Sequence, residues 1–162
     1  MGLQPILRRT WAQKGKSTIA NINPRYEWVW VHAFVNPQLG STYWLIFPTV
    51  NTYLYNLTLK EFAKAQHVGK DKIIILVVDR AGFHTGADVK IPKGLIIVFL
   101  PPYSPELQPA ERLWPLSNED IANRNFKDLD ELEDIQVKRC QTLLSQPEII
   151  SAKTLFHWWP RV

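Results

Sequence analysis

A chain of 162 residues, 46% hydrophobic and 21% charged, can bury a core and is too apolar to be a disordered tail. Its single cysteine, Cys140, excludes a disulfide framework, a multi-cysteine zinc site and an iron–sulfur cluster. No apolar run approaches the roughly 20 residues of a membrane span, and the amino end lacks a signal peptide's apolar stretch, so the expectation is a soluble, intracellular protein with no membrane partner.

The net charge of +4 is mild, but its distribution is uneven. Between Met1 and Pro24 stand Arg8, Arg9, Lys14 and Lys16 with no acid, whereas Glu119 to Asp134 holds seven acids against Arg124 and Lys127. A basic amino-terminal part fits an anionic partner; it equally fits a solvated face.

Residues 1–25 show no sustained period and read as loop or edge structure. From Tyr26 to Ala33 the residues are nearly all aromatic or β-branched, which predicts a strand. Asn36, Pro37 and Gly40 mark a turn, and Thr42 to Phe47 reads as the returning strand of an antiparallel hairpin. Leu54, Leu57, Phe62 and Ala65 then predict an amphipathic helix behind an Asn51 N-cap. Ile73 to Val78 is apolar at every position, the pattern of a central strand covered on both faces. Leu95 to Leu100 is a second such run, at a distance that suits a parallel crossover. Residues 107–144 read as mostly helical, interrupted near Pro115 and Asn125, with Phe126, Leu129, Leu132, Ile135 and Val137 as an apolar stripe. This order describes an α/β sheet with helices on its faces, whose sites form at the carboxyl ends of strands.

Two acids occupy such ends. Asp79 follows Val78 directly, and Glu111 follows the turn Pro101-Pro102-Tyr103-Ser104-Pro105 at what reads as the start of a helix. Paired carboxylates are the hard oxygen ligands that magnesium and manganese prefer, and phosphodiester chemistry uses such ions. The same residues also suit local capping. Asp79 can close a turn on its own backbone, and Glu111, three residues after Gln108 and behind Pro109, can complete a capping box. Spacing leaves both alternatives open.

The strings VVDRAGFH and LPPYSPELQPAERLW resemble the two signature blocks of bacterial insertion-sequence transposases of the mariner-related DDE/DDD superfamily. Asp79 and Glu111 match that family's second and third acids, with 31 residues between them. His84, Pro101, Pro102, Tyr103, Ser104, Pro105, Pro109, Arg112 and Trp114 match the surrounding motifs, and residues 9–15 resemble the family's RxxWAxxG segment. The resemblance implies an RNase H-like mixed sheet with helices on both faces, in a single DDE-type catalytic domain over residues 1–162. It also implies DNA strand cleavage and transfer with Mg²⁺ or Mn²⁺ held by Asp79 and Glu111. His84 and Arg112 would support the site, while Arg8, Arg9, Lys14 and Lys16 would contact DNA phosphates. The element's ends and target DNA are the partners implied, in the cytoplasm at the nucleoid.

The sequence departs from this pattern in three places. Gln108 stands where the family has Asn, and Pro115 follows Trp114, where it is expected to kink or stop a helix. No acid precedes Glu27, so the family's first acid and first strand are expected to be missing, and the chain alone is expected to be inactive. A non-catalytic remnant that binds DNA or a transposase is the alternative. Glu27 does not match the first acid's position, Cys140 lacks a catalytic neighbour in sequence, and His157 with Trp158 and Trp159 reads as packing or an interface. A sheet without its central strand exposes two edges, which leads to the expectation of a homo-oligomer.

Overall fold

The computed structural model describes residues 1–9, 11–16 and 25–160. Thr10 and Pro24, used in the reading above, lie outside the described residues.

Strands β1 (Trp30–Asn36) and β2 (Ser41–Phe47) form the expected hairpin, in register from Trp30 opposite Phe47 to Asn36 opposite Ser41. Its turn closes through Asn36, whose carbonyl accepts from Gly40 and whose side-chain oxygen accepts from Gln38 and Leu39. Gly40 adopts φ +64°, a left-handed conformation that glycine tolerates without steric cost.

Alternation along the hairpin sorts its side chains between two layers. Phe34 and Tyr43 pack with Tyr55, Leu59 and Phe62 of α1 (Thr52–Ala65), and the rings of Phe34 and Phe62 stack 4.0 Å apart. Ala33, Val35 and Trp44 turn the other way, onto Leu113 and onto Leu143 and Ile150 of α4 (Leu129–Leu144) and α5 (Pro147–Thr154). Helices therefore cover both faces of the hairpin, as expected. Helix α1 starts at the Asn51 N-cap, whose Oδ1 accepts from Leu54 N–H at 2.9 Å, and α4 starts at an equivalent cap on Asp128.

Strands β3 (Ile74–Val78) and β4 (Leu95–Phe99) pair in parallel, and the short helix α2 (Gly82–Thr85) lies in the crossover. Among the described residues the strands form two separate pairs, β1–β2 and β3–β4. The expectation that Ile73–Val78 is covered on both faces fails. Ile74 and Leu76 pack on the α1 side, but Ile75 is 64% exposed, and Ile73, Ile96 and Val98 are exposed too. An apolar run shows that a strand can be buried on both faces; what covers it depends on the other elements.

After β4 the chain is less helical than expected. Pro105–Leu107 and Pro109–Leu113 are 3₁₀ turns, and true helix follows in α3 (Trp114–Ser117) and α4. Pro115 does not stop a helix: it occupies the first turn of α3, where a missing N–H costs nothing. The buried face of α4 is Leu132, Gln136, Cys140 and Leu143, so Gln136 replaces Val137 in the expected stripe. No described helix is long and apolar enough to cross a membrane.

Candidate active site

Asp79 lies one residue past β3, so the strand's pairing with β4 sets its position. Its Oδ1 accepts from Ala81 N–H at 3.0 Å, which is the local turn closure the sequence allowed. The same oxygen lies 2.7 Å from His84 Nδ1, and because a carboxylate can only accept, that nitrogen carries the proton. His84 comes from α2, with its side chain 13% exposed against 51% for Asp79. Both partners engage Oδ1, so among the described residues Oδ2 has no partner and is available to a ligand.

Glu111 sits in the second 3₁₀ turn, held by a backbone bond from its own N–H to the Gln108 carbonyl at 3.0 Å. The capping box allowed by spacing does not form: Gln108 makes no side-chain cap, and the turn is 3₁₀ instead of the start of an α-helix. Glu111 makes no side-chain hydrogen bond or ion pair among the described residues. Fully buried Leu113, two residues on, ties this turn to α4 and α5.

Asp79 and Glu111 line one cleft of about 410 Å³ with Arg80, Gln108 and the Pro101–Pro105 turn. A second opening, between β1 and β3, is lined by the same two acids with His84, His32 and Tyr55. The two acids singled out by sequence thus share a cleft at the carboxyl end of β3. His84 joins them through its bond to Asp79 and in the second opening, but the arginine and lysine candidates do not. The Arg112 guanidinium lies over the Phe156 ring, 5.4 Å from its centroid. Arg8 donates to the Pro115 carbonyl at 2.7 Å, and its backbone exchanges bonds with the Asn123 side chain, so it docks the amino-terminal arm. Arg9, Lys14 and Lys16 are exposed on that arm, where Trp11 is fully exposed.

Sequence reasoning passed over three residues here. Arg80 reaches back to the Leu100 carbonyl and lies over the Phe99 ring, tying the two strand ends together; its place next to Asp79 was the available signal. Tyr55 and His32 carried no such signal, because they arrive from α1 and β1. The Tyr55 ring lies 4.5 Å from His84, and burial, together with the Asp79 charge, pushes its phenol up to about 12. Burial, then His84, lowers the His32 pKa.

The chemistry of the donors fits a divalent ion. Two carboxylates with free oxygens can serve magnesium or manganese, which bind through one or two carboxylates and keep several waters. No group of three or more His, Cys, Asp or Glu residues is poised for a metal among the described residues.

Residues 1–133 match the DDE superfamily endonuclease family, and the chain belongs to it. It is 31% identical over 132 residues to the uncharacterized protein y4pE/y4sA of Sinorhizobium fredii (strain NBRC 101917 / NGR234), covering 81% of this chain and 96% of that protein. In fold it is similar to the pre-cleavage Mos1 transpososome (TM-score 0.58, 14% identity, 94% of this chain and 53% of that one). It is likewise similar to the mariner Mos1 paired-end complex with Mg (TM-score 0.51, 14% identity, 94% and 52%). The fold is therefore the RNase H-like fold it shares with the Mos1 transposase domain, and the DDE-superfamily resemblance read from the motifs is borne out. The chain spans about half the length of those transposase chains.

Proposed function

We propose that this chain carries two of the acids of a metal-dependent DNA cleavage and strand-transfer site, Asp79 and Glu111. The observation that carries this reading is their shared cleft, with an unpartnered oxygen on each side chain. A divalent ion bound there would supply charge stabilisation to a phosphodiester and lower the pKa of a bound water or hydroxyl. The chain's own residues do the positioning. His84 and Ala81 N–H fix the Asp79 carboxylate through Oδ1, and the Gln108–Leu113 turn fixes Glu111.

DNA is the proposed substrate and partner. The Mos1 relatives are complexes with transposon ends, and exposed Arg9, Lys14 and Lys16 suit phosphate contacts, with Arg8 anchoring the arm that presents them. Arg112 is proposed to support the Glu111 turn, and its place over the Phe156 ring is what favours this. With two carboxylates in the cleft, the chain by itself is proposed to be inactive. A remnant that binds DNA or a transposase without cleaving is the second reading, favoured by the lack of a three-acid group among the described residues.

Manganese titration followed by water-proton relaxation tests the site. Weak binding is expected, abolished in the Asp79→Asn, Glu111→Gln double mutant; equal binding by both proteins would overturn the assignment. Incubation with supercoiled plasmid and manganese tests the inactivity. No appreciable nicking is expected, and nicking that Asp79→Ala removes would show that the chain completes its own site.

A further inference from the structure

The outer face of α1 carries positive charge that the packing of the fold does not use. Each residue of a helix turns about 100°, so Tyr53, Lys60 and Lys64 stand in one row about 16 Å long. Tyr53 is 75% exposed, and both lysines are exposed. The opposite side of the helix, with Tyr55, Leu59 and Phe62, faces the core.

The segment that follows α2 is fastened beside this row. Asn56 Nδ2 donates to the Asp88 carbonyl at 2.9 Å, and Asn56 Oδ1 accepts from Lys90 N–H at 2.7 Å. Exposed Lys90 is thereby laid alongside α1. The nearby acids do not neutralise the row. Glu61 lies about 100° round the helix from Lys60, on the flank away from Asn56, and Asp88 is exposed on the clipped segment. Lys60, Lys64 and Lys90 make no ion pair among the described residues. Helix stability accounts for one of them: Lys64, in the last turn, faces the negative end of the helix dipole. Lys60 stands four residues before Lys64, a like-charge spacing that weakens a helix, and both polar ends of Asn56 serve to bring Lys90 to the same side.

The row leads away from the candidate site. A Cβ on Gly86, just past α2, would lie 3.5 Å from Thr52 Oγ1 at the start of α1, and α2 holds His84 on Asp79. Lys64 stands about 18 Å further along the helix axis, the rise of about five base pairs. We infer that the outer face of α1, with Lys60, Lys64 and Lys90 as its cations, holds the sugar–phosphate backbone of duplex DNA beyond the segment in the Asp79–Glu111 cleft. The inference rests on the reading of DNA as substrate, and it adds a surface separate from the amino-terminal arm. Contacts of this kind go to phosphates, so they carry affinity without sequence preference and weaken with salt.

Fluorescence anisotropy of a labelled duplex of about 30 base pairs, titrated with the full chain at about 50–200 mM salt, tests it. The Lys60→Gln, Lys64→Gln, Lys90→Gln variant is expected to bind at least about tenfold more weakly, with a log–log salt slope shallower by about two to three. A control with Lys127→Gln, Lys138→Gln and Lys153→Gln removes the same charge from exposed positions outside this face and is expected to bind as the unaltered chain does. Coincident thermal unfolding shows that both variants are folded; should the triple variant unfold, Lys60→Gln and Lys90→Gln singly are each expected to lower the slope by about one. Equal affinity and slope in all the proteins overturns the inference and leaves DNA to the arm. Equal losses in variant and control reduce the effect to net charge and overturn it as well. Absence of binding by the unaltered chain overturns the DNA reading itself and this inference with it. Salt-sensitive self-association that the variant loses while its DNA binding is unchanged assigns the row to the acidic α4 face of a second copy, and overturns the proposed partner.

Discussion

Replacing Leu113 with alanine tests whether the α4–α5 layer holds the acid-bearing turn. Leu113 is 0% exposed and closes a cluster with Leu143 and Ile150, on which Ala33, Val35, Trp44 and Leu116 pack. The substitution removes the bulk of a fully buried side chain and leaves a cavity whose walls are helices and a hairpin, elements that cannot easily collapse into it. Substitutions of this kind cost about 3–5 kcal/mol, the transfer loss plus the cavity. For a domain of this size that lowers the Tm by about 10 °C. Leu144→Ala, one residue past Leu143 but 54% exposed, serves as the control and should cost less than about 0.5 kcal/mol. Urea denaturation followed by circular dichroism reads both. A loss below about 1 kcal/mol for Leu113→Ala, or equal losses for the two variants, would refute the claim that this layer clamps the Glu111 turn.

Gly40→Ala should destabilise by more than about 2 kcal/mol, because a Cβ there would lie 1.8 Å from the Pro147 carbonyl oxygen and φ is +64°. Gly15→Ala shares a positive φ but has open space around it, so it should cost about 1 kcal/mol; equal urea midpoints for the two variants would deny the hairpin–α5 contact. His32 sits below its ordinary pKa of 6.5 because the fold disfavours its protonated form. Between that lowered value and 6.5 the unfolded chain binds more protons, so stability should rise with pH across this window and fall on acidification. His32→Phe should flatten that slope in urea midpoints taken between pH 5 and 7.5, and an unaltered slope would remove His32 as its source. Cys140 is buried and its thiol pKa is raised by burial, against weaker opposing effects of Gln136 and Arg139. A disulfide reagent should modify it at least about tenfold more slowly in the native protein than in urea, and equal rates would show that α4 does not bury it.

The sequence by itself determined the local elements and the identity of the acids. Alternation and turn chemistry located the β1–β2 hairpin, and Asn51 capped the helix it was expected to cap. Two short motifs marked Asp79 and Glu111, because a site at a strand end needs particular residue types at positions that the local backbone defines. Tertiary structure decided everything that depends on what lies across from a residue. Ile75 reads as core, yet its face is open, because periodicity records only that a side chain can be buried. The turn around Glu111 is 3₁₀, shaped by Pro109 and by the anchoring of Leu113 under α4 and α5. Arg8 reads as a phosphate contact and is also a strut to Pro115, from which it is separated by more than a hundred residues of sequence. Tyr55 and His32 reach the neighbourhood of Asp79 from α1 and β1, and the opening between β1 and β3 exists only in three dimensions. Such contacts join residues distant in the chain, and no local pattern of residue types encodes a distance between two elements.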